Sequence, residues 1–193
     1  MTLSQLALKH DTDKGPQHHN YTAIYERYLD PLRHTKQTLL ELGVGGYEFP
    51  DRGGQSLRMW VEYAGKDWFI SAIDVHKKEF EVAGAFIIPC SQDDDLALQL
   101  ICRTAQPTII IDDASHINPL TIRSFEILFP LLAPGGLYIV EDTETSYWGI
   151  IHDGTDYGGG VETGIVAHLK YYIDVPEVEY IHFYKGVIII KKK

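Results

Sequence analysis

The stretch IIIDDASHINP, Ile109–Pro119, places three isoleucines directly before two aspartates and a histidine. The β-branched run predicts a short buried strand, because such side chains fit a sheet that is covered on both faces. Asp112 and Asp113 then leave the buried part of this strand at its carboxyl end. Asn118 followed by Pro119 predicts the start of a helix with Asn118 as the cap. The stretch therefore predicts a strand, a polar turn and a helix in succession.

The alternation of strand and helix continues on both sides of this stretch. Apolar runs predict strands, and apolar residues at helical spacing predict the helices between them. The predicted strands are 38–44, 68–75, 85–90, 108–113 and 135–142. The predicted helices are 21–32, 53–65, 93–105 and 118–132. Two further apolar runs, 179–184 and 187–192, are separated by two residues and so predict an antiparallel hairpin. The pattern indicates an α/β fold with a doubly wound, mostly parallel sheet.

Length and charge limit the class of protein. At 193 residues with 45% hydrophobic residues, the chain is predicted to form a single domain, 1–193. The net charge of −10 argues against a nucleic-acid partner. No apolar run has the roughly 18 residues of a membrane helix, and the first residues do not have the order of a signal peptide. We therefore expect a cytoplasmic protein without membrane insertion.

Four carboxylates are predicted to converge at one edge of the sheet. Strand 108–113 ends in Asp112 and Asp113, and strand 135–142 ends in Glu141 and Asp142. If these parallel strands are neighbours, their ends lie roughly 5 Å apart. Like charges at this distance are costly unless a cation neutralises them, and carboxylate oxygens are the ligands that Mg²⁺ prefers. The alternative is that these carboxylates cap helices and face water.

A glycine-rich turn follows the first predicted strand in LLELGVGG, Leu39–Gly46. Glycines at this point let the backbone approach a ligand, as in dinucleotide and adenosyl sites. Glu41 adds a negative charge that suits a cationic sulfonium, and Asp74 at the end of the second strand is placed to accept hydrogen bonds from ribose hydroxyls. We interpret Glu41, Gly43, Gly45 and Asp74 as an S-adenosylmethionine pocket, with an NAD site as the weaker alternative.

Further residues are assigned to the cofactor and to the substrate. The predicted cofactor-binding set also contains Tyr21, Tyr25, Ser56, Ser91, Gln92 and Asp112. A packed aromatic surface is the alternative for the two tyrosines, and a polar helix-capping turn is the alternative for Ser91 and Gln92. Tyr147 and Trp148 are candidates for stacking on a substrate ring, or for covering the sheet. Residues 1–36 are predicted to form a helical cover, and the glycine-rich segment 143–162 is predicted to form a lid.

Five segments carry a resemblance to a known family. They are DTDKG (11–15), YTAIYERYL (21–29), LELGVGGYEFPDRGGQSLRMW (40–60), IDDASHINPLTIRSFEILFPLLAPGGLYIVEDTETSYW (111–148) and IHFYKGVIII (181–190). Together they resemble the catalytic domain of metal-dependent sugar O-methyltransferases of antibiotic biosynthesis, the mycinamicin 2''-O-methyltransferase type. Compared with that family, we expect the chain to be without the separate N-terminal domain and to have a shorter segment after Trp148.

The resemblance implies a class I methyltransferase fold with strand order 3-2-1-4-5-7-6. It implies S-adenosylmethionine as methyl donor and Mg²⁺ held by Asp113, Glu141 and Asp142, with His116 as general base. A sugar hydroxyl is a poor nucleophile at neutral pH, so the reaction needs its deprotonation and its alignment with the methyl group. The expected acceptor is therefore a small molecule or glycan with vicinal hydroxyls.

Two other functions stay open at this point. The same chemistry would methylate a catechol-like diol, and a noncatalytic adenosyl-binding protein would keep the fold without the reaction. We also hypothesise a homo-oligomer, because the exposed N-terminal helix and the short lid leave the predicted pocket incompletely covered.

Overall fold

The structure is a computed structural model that describes residues 1–149 and 154–193. The chain divides into two compact units, Met1–Pro89 and Cys90–Lys193. Within the described residues, no helix combines the length and the apolar character needed to cross a membrane.

The first unit contains three helices and three strands. The helices are α1 (Leu3–His10), α2 (Thr22–Leu29) and α3 (Gln55–Ala64), and the strands are β1 (Gln37–Leu42), β2 (Trp68–Asp74) and β3 (Ala85–Pro89). A short 3-10 helix, Asp30–Leu32, follows α2 and contains Pro31. The last four residues of β1 are all buried, as expected for a strand that is covered on both faces.

In its described residues, the second unit contains three helices and four strands. The helices are α4 (Asp95–Ala105), α5 (Asn118–Leu128) and α6 (Ile165–Lys170), and the strands are β4 (Ile109–Asp112), β5 (Leu137–Glu141), β6 (Val178–Phe183) and β7 (Val187–Lys192). Three 3-10 helices, Phe129–Leu131, Thr143–Tyr147 and Tyr171–Asp174, complete the described elements. Every residue of β4 and β5 is buried.

The strand order β3-β2-β1-β4-β5-β7-β6 confirms the predicted α/β fold. In the first unit β1, β2 and β3 are parallel, with Leu39 opposite Ile70. In the second unit β4 is parallel to β5, and the register places Asp112 opposite Val140. The predicted hairpin is also confirmed, because β7 is antiparallel to both β5 and β6.

The N-terminal ends of α5 and α1 show what the sequence prediction missed. Helix α5 begins at Asn118 itself with Ile117 in the capping position, so the prediction of Asn118 as cap is wrong. Its buried side chain bonds to distant segments instead, which a short-range capping rule cannot anticipate. Helix α1 lies within the predicted helical cover 1–36, but its bounds were not predicted, although Thr2 and Gln5 form a reciprocal capping box that the spacing T-x-x-Q indicates.

Candidate functional site

Asp113, His116 and Asp142 form a cluster in the second unit, here called the Asp–His–Asp cluster. One ligand atom from each residue lies within 4.8 Å of the other two. His116 Nε2 is 3.4 Å from Asp142 Oδ2 and 4.0 Å from Asp113 Oδ1. All three side chains are partly exposed, so a solute can reach them. Two carboxylates beside an imidazole form a donor set that fits a divalent cation with a preference for oxygen.

The backbone at the cluster has two residues in an uncommon conformation. His116 has φ +56° and Asp142 has φ +50°, both in the left-handed region that favours glycine. Such a conformation costs a non-glycine residue of order 1 kcal/mol and persists only where neighbouring contacts hold it. Residues of this kind concentrate at functional sites. The strain therefore supports the cluster as the candidate site.

Glu141 and Asp142 follow one another but have different surroundings. Glu141 is the last residue of β5, pairs with Val187 and is 4% exposed, whereas Asp142 begins the turn into the 3-10 helix Thr143–Tyr147. The prediction that β4 and β5 end side by side is confirmed. In the described part of the chain, the three-residue group does not include Glu141. The role of Glu141 as a metal ligand stays a prediction.

Asp112, the neighbour of Asp113 in the chain, belongs to a buried hydrogen-bond network. Gln92 Nε2 donates to both carboxylate oxygens of Asp112, at 3.0 and 3.2 Å, and the Tyr138 hydroxyl donates at 3.3 Å. Gln92 Oε1 accepts from Ser115 Oγ at 2.7 Å, and Ser115 Oγ accepts from the backbone N–H of Ile117 at 3.3 Å. The network therefore ties the end of β4 to the turn that carries His116.

Burial dominates the protonation of this network. Loss of solvation raises the pKa of Asp112 to about 7, and the nearby charge of Asp113 acts in the same direction. The hydrogen bonds from Tyr138, Ala114 and Gln92 oppose this rise because they favour the carboxylate. Burial also raises the pKa of Tyr138. Gln92 and Asp112 were predicted to bind the cofactor, and the structure shows that both side chains already have protein partners.

The glycine-rich turn of the first unit meets the end of β2. Asp74 Oδ2 accepts from the backbone N–H of Val44 at 3.0 Å, and Gly43 N–H donates to the carbonyl of Ile73 at 2.8 Å. Gly43 and Gly45 have φ +95° and +74°, which an L side chain would strain. The structure thus brings together the predicted cofactor residues Gly43, Gly45 and Asp74. Lys78 Nζ lies 3.7 Å from Asp74 Oδ1.

Glu41 is fully buried and bound by side chains of its own unit. Its carboxylate accepts from Ser56 Oγ at 3.0 Å and from Trp60 Nε1 at 3.3 Å. The ammonium group of Lys14, also fully buried, is 3.8 Å away. A buried carboxylate needs such compensation, since an uncompensated charge in the interior is strongly destabilising. These contacts give Glu41 and Ser56 a structural role, and their contact with a cofactor stays a prediction.

The predicted cofactor residues Tyr21 and Tyr25 are buried in the first unit. Their ring centroids are 6.5 Å apart, and Tyr25 packs at 5.9 Å from Trp60. This packing agrees with the aromatic-surface alternative for these tyrosines, without testing a contact with the cofactor. In the second unit, Ser91 precedes Gln92 and accepts a hydrogen bond from the backbone N–H of Asp94 at 3.2 Å through its carbonyl.

The predicted lid, 143–162, is described except for Ile150, Ile151, His152 and Asp153, which lie outside the described residues. Tyr147 and Trp148 are 61% and 42% exposed, and the Trp148 ring meets Tyr157 edge to face at 5.7 Å. The Gly160 N–H donates to the carbonyl of Ser146 at 2.7 Å, so the described halves of the segment are joined. Exposed aromatic faces suit a sugar ring, and this role stays a prediction.

Sequence reasoning missed Asn118 as the central polar residue of this region. Its buried amide bonds to Thr145, Ser146, Tyr157 and Ile165. The only local signal was an asparagine before a proline, which is typical of a helix start. Its partners are 27–47 residues away in the chain, and no local pattern indicates them.

Comparison with known proteins identifies relatives that methylate sugars. The chain is 38% identical over 168 residues to the 8-demethyl-8-alpha-L-rhamnosyl tetracenomycin-C 2'-O-methyltransferase of Streptomyces olivaceus, covering 86% of this chain and 44% of the relative. It is 38% identical over 147 residues to the mycinamicin VI 2''-O-methyltransferase of Micromonospora griseorubida, covering 76% of this chain and 37% of that relative. No family model matches the chain.

A solved structure shows the same fold. The MycE methyltransferase of mycinamycin biosynthesis, solved with Mg, SAH and mycinamycin VI, matches with a TM-score of 0.89 and 33% identity over 100% of this chain and 54% of its own. The resemblance to sugar O-methyltransferases predicted from the sequence is therefore confirmed. The chain spans less than half the length of the two curated relatives described above, 44% and 37%.

Proposed function

We propose that this chain transfers a methyl group from S-adenosylmethionine to a hydroxyl of a sugar carried by a natural product or glycan, with Mg²⁺ as the metal. The observation that carries this proposal is the Asp–His–Asp cluster, which combines candidate metal ligands with a candidate base. The sugar O-methyltransferases to which the chain is similar support the substrate class, and the solved relative with Mg and SAH supports both cofactors.

Asp113 and Asp142 would hold the metal, with Glu141 as the further ligand that the resemblance implies. When bound, Mg²⁺ supplies positive charge that lowers the pKa of the acceptor hydroxyl. The side chains of the cluster are partly exposed, 21% at Asp113, 27% at His116 and 20% at Asp142. Two neighbouring hydroxyls would be oriented together there, which favours a vicinal diol as acceptor.

His116 would accept the proton of the reacting hydroxyl. Its Nε2 atom is 3.4 Å from Asp142 and 4.0 Å from Asp113, which places the base beside the residues that would hold the metal. The hydrogen bond from Ser115 to Gln92 holds the turn that carries His116, which limits the directions in which the imidazole can point. A fixed base lowers the entropic cost of reaching the transition state.

The first unit would bind the adenosyl group at the turn that contains Gly43 and Gly45. Asp74 already accepts hydrogen bonds from the backbone N–H groups of Val44 and His76, at 3.0 and 2.8 Å. These bonds hold the carboxylate at the turn, and a carboxylate oxygen has lone pairs for a ribose hydroxyl as well. The names of the relatives support O-methyl transfer as the reaction class. Experiment must identify the sugar hydroxyl that is methylated.

The test is a transfer assay with isotope-labelled S-adenosylmethionine and a panel of glycosides. Each vicinal-diol glycoside is paired with its monodeoxy analogue, and every pair is assayed with Mg²⁺ and with a chelator. We expect label in the diol glycoside only when Mg²⁺ is present, and a loss of about 10²–10⁴-fold in turnover for His116→Ala. Labelling of a catechol but of no glycoside would replace the sugar by a catechol-like acceptor. No labelling of any diol would contradict the proposal.

The proposed assembly and location come from the sequence. A homo-oligomer and a cytoplasmic location stay predictions, as does the single domain with a helical cover over residues 1–36. Sedimentation of the chain at micromolar concentration would contradict the oligomer if it showed only monomer.

A further inference from the structure

We infer that Asn118 is a positioning residue that holds His116 against Asp142. The inference rests on the proposed function, because it concerns the geometry of the Asp–His–Asp cluster. Asn118 itself is fully buried and does not belong to the cluster. It acts through the backbone segments on either side.

The amide of Asn118 uses all of its hydrogen-bonding capacity. Nδ2 donates to the carbonyls of Thr145 at 3.1 Å and Tyr157 at 2.9 Å. Oδ1 accepts from Ser146 Oγ at 3.1 Å and from the backbone N–H of Ile165 at 2.8 Å. An amide has two donor hydrogens and two acceptor lone pairs, so this side chain is fully satisfied and its orientation is fixed.

These bonds connect the two chain segments that carry the cluster. Asn118 is two residues beyond His116, at the first turn of α5. Thr145 and Ser146 belong to the 3-10 helix that begins directly after Asp142. Two of the four side-chain bonds therefore join the segment of His116 to the segment of Asp142. The 3.4 Å separation of those two side chains depends on this junction.

The backbone conformation explains why such a junction is needed. His116 and Asp142 both have positive φ and both lie outside the regular ladder of a strand or an α-helix. An uncommon φ persists only when surrounding contacts determine it. The hydrogen bond from Ser115 to Gln92 holds one end of the turn that carries His116. Asn118 holds the other end through its bond to Thr145, in the segment that follows Asp142.

The same amide also binds Tyr157, whose ring contacts Trp148, one of the two predicted substrate residues. Tyr157 O accepts from both the backbone N–H and the side chain of Asn118, each at 2.9 Å. The ring of Tyr157 packs edge to face against Trp148. Asn118 thus determines the position of the aromatic pair relative to the cluster. A change at Asn118 is expected to alter KM for the acceptor as well as kcat.

The test compares Asn118→Asp and Asn118→Ala with a matched control, Ser124→Ala. Asn118→Asp keeps the two acceptor bonds but places a second carboxylate oxygen against the carbonyls of Thr145 and Tyr157, so the uncharged variant Ser146→Ala is measured beside it. Ser124 is a fully buried residue of the same helix whose hydroxyl donates to the Leu120 carbonyl at 3.0 Å. The control therefore removes a buried hydrogen bond of α5 that stays within the helix. All variants are made in the full chain.

Two readouts are recorded. The first is the ring ¹⁵N spectrum of His116 in metal-free protein at fixed pH, assigned with His116→Asn. The second is the affinity for Mn²⁺ alone, measured by electron paramagnetic resonance. We expect Asn118→Asp to shift the His116 signals and to weaken Mn²⁺ binding by about 10–100-fold, the usual loss when a partner of a ligand segment is removed. Ser124→Ala is expected to change neither.

Unchanged His116 signals in folded Asn118→Asp would overturn the inference, whatever the metal affinity. If Asn118→Ala does not fold, Asn118→Asp and Ser146→Ala carry the same test, since Ser146→Ala removes one of the four bonds. If the unaltered chain bound no Mn²⁺ and transferred no methyl group, the proposed function would fail. The metal-free His116 spectrum would still decide whether Asn118 positions the histidine.

Discussion

Replacing Gln92 by methionine separates a structural role from cofactor binding. Gln92 is 6% exposed and lies between the Asp112 carboxylate and the Ser115 hydroxyl. Methionine has a similar length and volume, so the change removes hydrogen bonds without opening a large cavity. Asp112 would keep its bond from Tyr138 at 3.3 Å, while Ser115 would lose its acceptor.

The expected loss follows from the bonds removed. A buried bond to a carboxylate contributes about 1.5–3 kcal/mol and a neutral one about 1 kcal/mol, so the free energy of unfolding should fall by roughly 2.5–4 kcal/mol. For a chain of this size that corresponds to a fall in Tm of about 5–16 °C. The assay is thermal and urea unfolding, beside calorimetric titration of S-adenosylmethionine. Gln55→Met, at an exposed position, is the matched control and should change neither quantity.

The outcome separates the two roles of Gln92. The structural role predicts a lower Tm and an S-adenosylmethionine affinity within a few-fold of the unaltered chain. An unchanged Tm together with at least a tenfold loss of affinity would refute the reasoning from the network. It would place the Gln92 amide in the cofactor site instead.

Three further predictions concern packing and protonation. A Cβ at Gly159 would collide with the carbonyl oxygens of Thr145 and Trp148, so Gly159→Ala should cost about 1–3 kcal/mol of unfolding free energy. Gly149→Ala should cost little, because a Cβ there would meet no atom of the described residues within 4 Å beyond its chain neighbours. Equal Tm values for the two variants would contradict this. Burial raises the pKa of Cys102 to about 11, so iodoacetamide should label it only in denaturant, and rapid labelling of the folded chain, read by mass spectrometry, would contradict its burial. Burial lowers the pKa of His168 below the ordinary histidine value of about 6.5. The imidazole therefore binds its proton more tightly in the unfolded chain. The folded chain keeps this part of its stability above a pH of about 6.5 and loses it as the pH falls from there through the lowered pKa. His168→Leu should reduce that acid loss of Tm, and an identical pH dependence would oppose the assignment.

The sequence predicted the parts of the fold that depend on local patterns. Runs such as Ile109–Ile111 indicate buried strands because a parallel strand is covered on both faces, and β4 and β5 are buried throughout. The short gap between the apolar runs 179–184 and 187–192 allows only a hairpin, which the structure contains. The convergence of Asp113 and Asp142 followed from the rule that parallel strands end at one edge.

The parts that could not be predicted depend on contacts between distant residues. Gln92 was read as a cofactor ligand or capping residue, and its partners Asp112 and Ser115 are 20 and 23 residues away. Asn118 was read as a cap because short-range preference favours asparagine at a helix start. Its side chain is instead bound by segments that follow β5. Side-chain partners of this kind are set by tertiary packing, which no local pattern describes.

In the proposed function, a divalent cation at the Asp–His–Asp cluster recruits the sugar. The most direct measurement is calorimetric titration of a vicinal-diol glycoside into chelator-treated protein that is saturated with S-adenosylmethionine, with and without added Mg²⁺. We expect the glycoside to bind only when Mg²⁺ is present, and we expect Asp142→Asn to abolish that binding. Glycoside binding of equal affinity without metal, or an unchanged affinity in Asp142→Asn, would contradict it.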